Sequence, residues 1–229
     1  MISTKATTAI GAAGEGPGAG VSWTGAAAEE TAADRIVPCF TPGTLVTTRA
    51  GKRAVETLCP GDMLLTRDRG FQPVVWRGMR RVAGAALSRE AAPVTIRAGA
   101  LGPGQPERDM TVSPGHRMLS TDPDLLRSLG EPEALVEARA LTGLPGIDRP
   151  VPGAVGYVHV LMEKHEVILA ENTWTESLRL TPSLLRGLSE TGVDIGQKLA
   201  RFGDRAAATA QSPARHCLTV TEAVQGLRV

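Results

Sequence analysis

Short apolar runs, each followed by turn residues, repeat along the chain between Cys39 and Ser177. Many short strands at spacings of about ten residues are typical of an all-β sandwich or barrel. The pattern therefore predicts an all-β fold. The predicted strands are Leu45–Thr48, Ala54–Leu58, Met63–Thr66, Val74–Trp76, Arg81–Leu87, Val94–Ile96, Met110–Val112, Arg117–Ser120, Leu135–Val136, Tyr157–Leu161 and Val167–Ala170.

The two flanking segments lack this strand pattern. Residues 1–38 hold ten alanines and six glycines and are predicted to be a flexible leader, with a short helix over Ala26–Arg35. In residues 179–229, the Thr181-Pro182 pair favours a helix start and an amphipathic pattern runs to Phe202, followed by a short strand at Cys217–Val220. The prediction is thus a leader, an all-β domain at 39–178 and a C-terminal extension.

Composition narrows the classes of function. The hydrophobic content of 42% can fill a core, and the net charge of +1 gives no reason to expect nucleic acid or an anionic membrane as a partner. No run approaches the roughly 18 apolar residues of a membrane span. The first twenty residues lack a basic start followed by an apolar block, so a cytoplasmic location is the default, with export by another route left open.

The three cysteines do not form a metal or disulfide pattern. Cys39, Cys59 and Cys217 lack Cys-x-x-Cys spacing, which argues against a zinc site and a disulfide framework. We therefore expect neither a metal nor a cofactor. Cys59 precedes a Pro-Gly turn and is predicted to be inert, and Cys217 has no assigned role.

Four local motifs carry the candidate chemistry. The first places a cysteine before a tight turn that leads into a strand, and the third places a histidine after a Pro-Gly turn at the start of a strand. The second and fourth are strand-rich, and the fourth contains two further histidines. The motifs are Cys39–Val46, Gly51–Leu65, Thr111–Leu119 and Tyr157–Ala170.

Together and in this order, the motifs resemble the Hint domain shared by inteins and the Hedgehog autoprocessing region, and most closely the bacterial stand-alone Hint type. The resemblance covers Cys39 to about Ser177 and implies a Hint-like β fold. In that family the first cysteine attacks the carbonyl of the preceding residue and converts a peptide bond into a thioester. The resemblance thus implies that Cys39 attacks the Pro38 carbonyl, in a single-turnover reaction on the protein's own chain.

The resemblance also implies roles for three other residues. His116 would contact the scissile amide nitrogen and protonate it on departure, a general-acid role that suits a pKa near 6.5. Ser113 would donate a hydrogen bond to the same carbonyl or hold the imidazole. His165 would lie nearby and assist the breakdown of the intermediate.

Each of these residues also has a structural interpretation. Cys39 could be a small buried residue, and His116 could cap its turn. His165 could lie at the exposed tip of a hairpin. His159 alternates with Tyr157 and is predicted to be a packed strand residue rather than a catalytic one.

Departures from the splicing branch of the family limit the expected activity. Glu176-Ser177 stand where His-Asn would be expected, so splicing is not expected. The expected activity is cleavage at Pro38–Cys39, with water or another nucleophile as acyl acceptor. Val158 stands where the family has an Asp, and Pro38 has a hindered carbonyl, so the reaction should be slow.

Two other functions remain open. The fold could be a catalytically silent interaction or structural module, with the leader and the extension as contacts. A cysteine hydrolase acting on a separate substrate is the third alternative, although the chain lacks a pattern of a base and a residue that orients it.

Overall fold

The computed structural model describes residues 37–83, 92–127, 129–181, 184 and 211–227. These residues are mostly β-structure, with two short α-helices and 3₁₀ turns at Val55–Thr57 and Ala138–Leu141. The strands are β1 Leu45–Thr48, β2 Gly51–Ala54, β3 Met63–Thr66, β4 Gly70–Ala83, β5 Val94–Ile96, β6 Met110–Val112, β7 Arg117–Ser120, β8 Ala134–Glu137, β9 Ile147–Asp148, β10 Ala154–Met162, β11 Val167–Ala170, β12 Thr173–Glu176 and β13 His216–Leu218; the helices are α1 Pro123–Leu126 and α2 Val220–Gly226.

The described strands form two sheets. The larger sheet has the strand order β10-β4-β3-β1-β11-β12-β7-β8-β13, with β2 paired to β1, and the smaller sheet has the order β6-β5-β9. Inward and outward positions alternate in β1 and β3, as expected for strands with one face on a core. The predicted all-β fold class is confirmed.

The short apolar runs predict most strands but not their full extent. Val74–Trp76 and the start of Arg81–Leu87 form one strand, β4, because β10 pairs with it along its length from Val74 to Ala83. The strand predicted at Ala54–Leu58 is wrong, since a 3₁₀ turn lies there and buries Val55 and Leu58.

The C-terminal extension is described only in part. The strand predicted near Cys217 is confirmed as β13, which pairs in parallel with β8. The helix predicted from Thr181-Pro182 to Phe202 lies almost entirely outside the described residues, and the helix predicted over Ala26–Arg35 lies wholly outside them. The proposed division into three segments stays a prediction.

The chain enters the domain between the two sheets. The backbone of Phe40 exchanges hydrogen bonds of 2.9 and 2.8 Å with Val158 of β10, and Thr41 N donates to Thr111 O of β6 at 3.2 Å. Ser113 N, just after β6, donates to Cys39 O at 2.9 Å. These bonds hold Cys39 between the end of β6 and the middle of β10.

A second apolar cluster, separate from the main core, surrounds this junction. It combines residues that flank the junction with side chains from β4, β10 and the segment after β12. Its buried members are Val37, Cys39, Trp76, Val82, Val155, Tyr157, Leu161, Leu178, Leu180 and Leu184. The segment that follows β12 therefore covers the region around Cys39.

Gly78→Ala is expected to destabilise this cluster by about 1–3 kcal/mol, because overpacking forces side chains from their preferred positions. A Cβ atom at Gly78 would overlap the indole ring of Trp76. Gly153→Ala is the matched control, since a Cβ atom there meets no other atom within 4 Å. Urea denaturation measures both variants, and equal midpoints would contradict the expectation.

Candidate functional site

The peptide bond between Pro38 and Cys39 lies inside the fold, bound from both sides. The amide N–H of Cys39 donates to Ser113 Oγ at 3.0 Å, and Ser113 Oγ donates to the carbonyl of Val37 at 2.8 Å. The thiol of Cys39 also donates to the Val37 carbonyl at 3.2 Å. Only 1% of Cys39 is exposed, so the thiol is buried within the fold.

His159 faces the Cys39 sulfur and the Pro38 carbonyl. Its Nδ1 lies 3.3 Å from Cys39 Sγ and 3.3 Å from the carbonyl oxygen of Pro38. His159 is 9% exposed and lies in the middle of β10. The alternation of His159 with Tyr157 in the sequence had predicted a packed strand residue. The available signal was its position next to Val158, where the family has an acidic residue.

His116 is fully buried beside Phe40, the residue that follows Cys39. The two rings meet edge to face, with centroids 4.5 Å apart. Thr175 donates its hydroxyl proton to Arg117 O, so the hydrogen bond between Thr175 and His116 Nε2 takes its proton from the imidazole. The other nitrogen, Nδ1, is left as a lone-pair acceptor with no hydrogen-bond partner among the described residues.

The surroundings of His116 keep its ring neutral. Burial, followed by the nearby charge of Arg117 and the imidazoles of His165 and His159, lowers the pKa of His116 to about 3. The ring therefore carries no extra proton at neutral pH. The resemblance implies a general acid with a pKa near 6.5 that contacts the amide nitrogen of Cys39. His116 instead has a much lower pKa and makes no hydrogen bond to that nitrogen, which is bound to Ser113 Oγ.

His165 is buried and occupied at both ring nitrogens. Nε2 lies 3.0 Å from a carboxylate oxygen of Glu176, and Nδ1 accepts the backbone N–H of Ala214 at 3.0 Å. It is 4% exposed, so it does not lie at an exposed hairpin tip. These contacts attach the C-terminal extension to the β domain.

The structure places the predicted site residues in three different surroundings. Cys39 and Ser113 meet at the Pro38–Cys39 peptide bond, and His116 packs behind Phe40. His165 belongs to a buried network with Glu176 and Arg117. Among the described residues, no group of three or more His, Cys, Asp or Glu side chains could hold a metal ion.

The remaining cysteines lie outside the site. Cys59 is partly buried in the turn before β3, and Cys217 is in β13, where burial raises the pKa of its thiol. Within the described residues, no helix is long and apolar enough to cross a membrane.

Comparison with known proteins identifies the class. The family model described as "Hint domain" matches residues 38–182, well over half of the chain, with Cys39 as the second matched residue. The chain belongs to the Hint domain family. The resemblance given by the sequence motifs is therefore confirmed.

Solved structures of inteins and intein-like domains are also similar to this chain. A bacterial intein-like domain from Clostridium thermocellum is 15% identical, with 60% of this chain and 96% of that chain covered and a TM-score of 0.40. A DnaB intein from Synechocystis is 11% identical, with 61% and 98% covered and a TM-score of 0.38. No curated protein matches the sequence.

Proposed function

We propose that this Hint domain cleaves its own chain at Pro38–Cys39. Cys39 attacks the carbonyl carbon of Pro38, and the acyl group moves from nitrogen to sulfur. Water or another nucleophile then takes the acyl group from the thioester, which releases the segment ending at Pro38. The reaction is a single turnover on the protein's own chain, and its substrate is its own N-terminal segment.

The observation that carries this proposal is that Ser113 fixes the peptide on both sides of the Pro38–Cys39 bond. Ser113 Oγ bonds to the nitrogen on one side of the bond, at 3.0 Å, and to the Val37 carbonyl on the other side, at 2.8 Å. A side chain that fixes both ends of one dipeptide keeps the carbonyl in place against the thiol. Such orientation is a large part of catalytic rate enhancement.

The step balances without a cofactor. A bond forms between Cys39 Sγ and the Pro38 carbonyl carbon while the bond from that carbon to Cys39 N breaks. The thiol proton ends on the nitrogen, which becomes a free amine. Hydrolysis of the thioester adds water, giving a carboxylic acid at Pro38 and restoring the thiol.

Cleavage without splicing fits the contacts at the end of the β domain. Glu176 is fully buried and bonded to Arg117 and His165, while Ser177 Oγ accepts the backbone N–H of Glu166 at 2.9 Å. Neither side chain can cyclise to release a downstream segment as an asparagine does. Both residues serve the packing of the domain, which leaves cleavage on the N-terminal side.

Cys39→Ala is expected to abolish loss of residues 1–38, because no other atom at the site can form the thioester. Purified protein is incubated near neutral pH with and without hydroxylamine, which converts a thioester into a hydroxamic acid, and its intact mass is followed. Cys59→Ala is the matched control and should cleave at the wild-type rate. Ser113→Ala should slow cleavage by about 10²-fold, as loss of an orienting group does.

The second candidate is a catalytically silent Hint module. The observation that favours it is the sulfur itself, which lies within an apolar cluster and donates its proton to a carbonyl. A full-length mass in every condition, with no hydroxamic acid trapped, would establish this alternative and refute self-cleavage. A hydrolase acting on added substrates is disfavoured, because a thiol that is 1% exposed leaves no room for them.

A further inference from the structure

We propose that His159 is the catalytic base of the acyl shift and the donor that stabilises its oxyanion, with the single nitrogen Nδ1 serving both purposes in succession. This inference rests on the self-cleavage proposed above and names the group that activates Cys39. The Hint resemblance assigned no role to this residue.

Nδ1 of His159 lies between the sulfur of Cys39 and the carbonyl oxygen of Pro38. It lies 3.3 Å from Cys39 Sγ and 3.3 Å from the Pro38 carbonyl oxygen. One of these atoms must lose a proton during the reaction, and the other must gain negative charge. A nitrogen in contact with both can take the proton from the sulfur and then share it with the oxyanion.

Two groups compete for the proton of the Cys39 thiol. The thiol can donate to the Val37 carbonyl, 3.2 Å away, or to His159 Nδ1. The carbonyl holds the sulfur as an unreactive thiol, since an amide oxygen does not take up its proton. An imidazole has a pKa near 6.5 in water, so at neutral pH it is mostly unprotonated and can take up the thiol proton, which an amide oxygen cannot.

The other two candidate histidines do not contact the thiol. His116 has Nε2 bound to Thr175 and makes no hydrogen bond through Nδ1 to any described residue. His165 has both nitrogens engaged by Glu176 and Ala214. Neither therefore hydrogen bonds to the thiol, whereas His159 contacts it.

The proton count closes over the whole shift. Nδ1 takes the proton from Sγ as the bond from Sγ to the Pro38 carbon forms, and the imidazolium then donates to the oxyanion. When the bond from carbon to Cys39 N breaks, the nitrogen takes up the proton that Nδ1 removed from the sulfur. His159 returns to its neutral form, and Ser113 Oγ holds the nitrogen throughout this exchange.

The strand environment of His159 supports a fixed ring. Its backbone lies opposite Gly78 of β4, and its neighbour Val158 is paired to Phe40 on both backbone groups. The main chain just after the Pro38–Cys39 bond is therefore bonded to the same strand that carries the imidazole. A rigid strand keeps the ring and the carbonyl in register.

The test compares wild type with His159→Gln and His159→Ala, with His216→Gln as a control at an exposed histidine. Glutamine can donate to the Pro38 oxygen but cannot remove a proton from the thiol. We expect cleavage, followed by intact mass, to slow by about 10²–10⁴-fold in both His159 variants, which is the usual range for a general base. The control should cleave at the wild-type rate.

Hydroxylamine locates the affected step. If His159 acts in formation of the thioester, adding hydroxylamine should not speed the cleavage of His159→Gln. Restoration of the wild-type rate by hydroxylamine would overturn the inference, because the residue would then act only in breakdown. Urea denaturation of each variant checks the fold, and His159→Asn replaces any variant that does not fold.

The outcomes separate the two proposals. A wild-type protein that cleaves together with a His159→Gln variant that cleaves equally fast refutes the role of His159 and leaves self-cleavage standing. A wild-type protein that does not cleave under any condition refutes self-cleavage, and the role of His159 with it. Cleavage in wild type with the expected loss in both folded His159 variants supports both.

Discussion

Glu176→Ala is expected to lower the free energy of unfolding by about 3–5 kcal/mol, the usual cost of breaking a buried ion pair by removing one partner. Glu176 is fully buried and accepts the backbone N–H of Arg117 at 2.8 Å, while its other oxygen lies 3.4 Å from the Arg117 guanidinium and 3.0 Å from His165 Nε2. Alanine would leave these donors buried without an acceptor.

Two other variants calibrate this loss. Glu176→Gln keeps the shape and one acceptor oxygen, so it should cost clearly less than alanine. Asp148→Asn removes a partner from an exposed pair with Arg97, at 3.9 Å, and should change stability by less than about 1 kcal/mol. Guanidinium denaturation gives the three values. A Glu176→Ala variant as stable as Asp148→Asn would show that the buried network contributes nothing measurable.

Acid is expected to destabilise the fold through His116. Its pKa is about 3 in the folded protein, mainly because burial disfavours the charged ring, against 6.5 when unfolded. Between these pH values the unfolded chain binds a proton that the folded chain does not. The contribution is therefore fully present above pH 6.5 and is lost as the pH falls toward 3, by as much as about 5 kcal/mol.

The measurement is the pH dependence of the unfolding free energy for wild type and His116→Gln. Between pH 5 and pH 4 the wild-type slope should exceed that of the variant by about 1.4 kcal/mol per pH unit. Should the variant not fold, the ring signals of His116 in the NMR spectrum serve instead and should stay constant down to pH 4. Equal slopes, or titration near 6.5, would contradict the burial argument.

These two predictions concern residues that stabilise the site without reacting. Glu176 joins β12 to the start of β7, and His165 joins the same carboxylate to Ala214 of the extension. Arg117, which also faces Glu137 at 2.8 Å, follows His116 directly in the chain. The network therefore fixes the strand that begins beside His116 and holds the extension against the β domain.

Local sequence was sufficient for most of the strands. The runs at Leu45–Thr48, Met63–Thr66 and Val167–Ala170 are strands with the predicted bounds. Alternation and flanking turn residues act over a few positions, so they can be read without the rest of the chain. The full length of strand β4 could not be predicted from local sequence, because its continuity depends on pairing with β10, about 80 residues later.

At the candidate site, local motifs identified the residues, but tertiary structure set their contacts. The cysteine with its turn motif identified Cys39, and the serine and histidine around the Pro-Gly turn identified Ser113 and His116. The contact between Ser113 and Cys39, 74 residues apart, depends on how β6 meets the N-terminal segment. The side of β10 that faces the thiol is also set by tertiary pairing, and for that reason the local sequence predicted only a packing role for His159.

The amino-acid sequence by itself determined the family, the all-β class and the position of the candidate nucleophile, since each is written in short motifs and local periodicity. Tertiary structure alone decided which imidazole faces the sulfur, which one is kept neutral and which one anchors the C-terminal extension. The physical reason is that hydrogen bonding and burial depend on neighbours brought together from distant parts of the chain. His116, His159 and His165 have the same side chain, and only the fold gives them different surroundings.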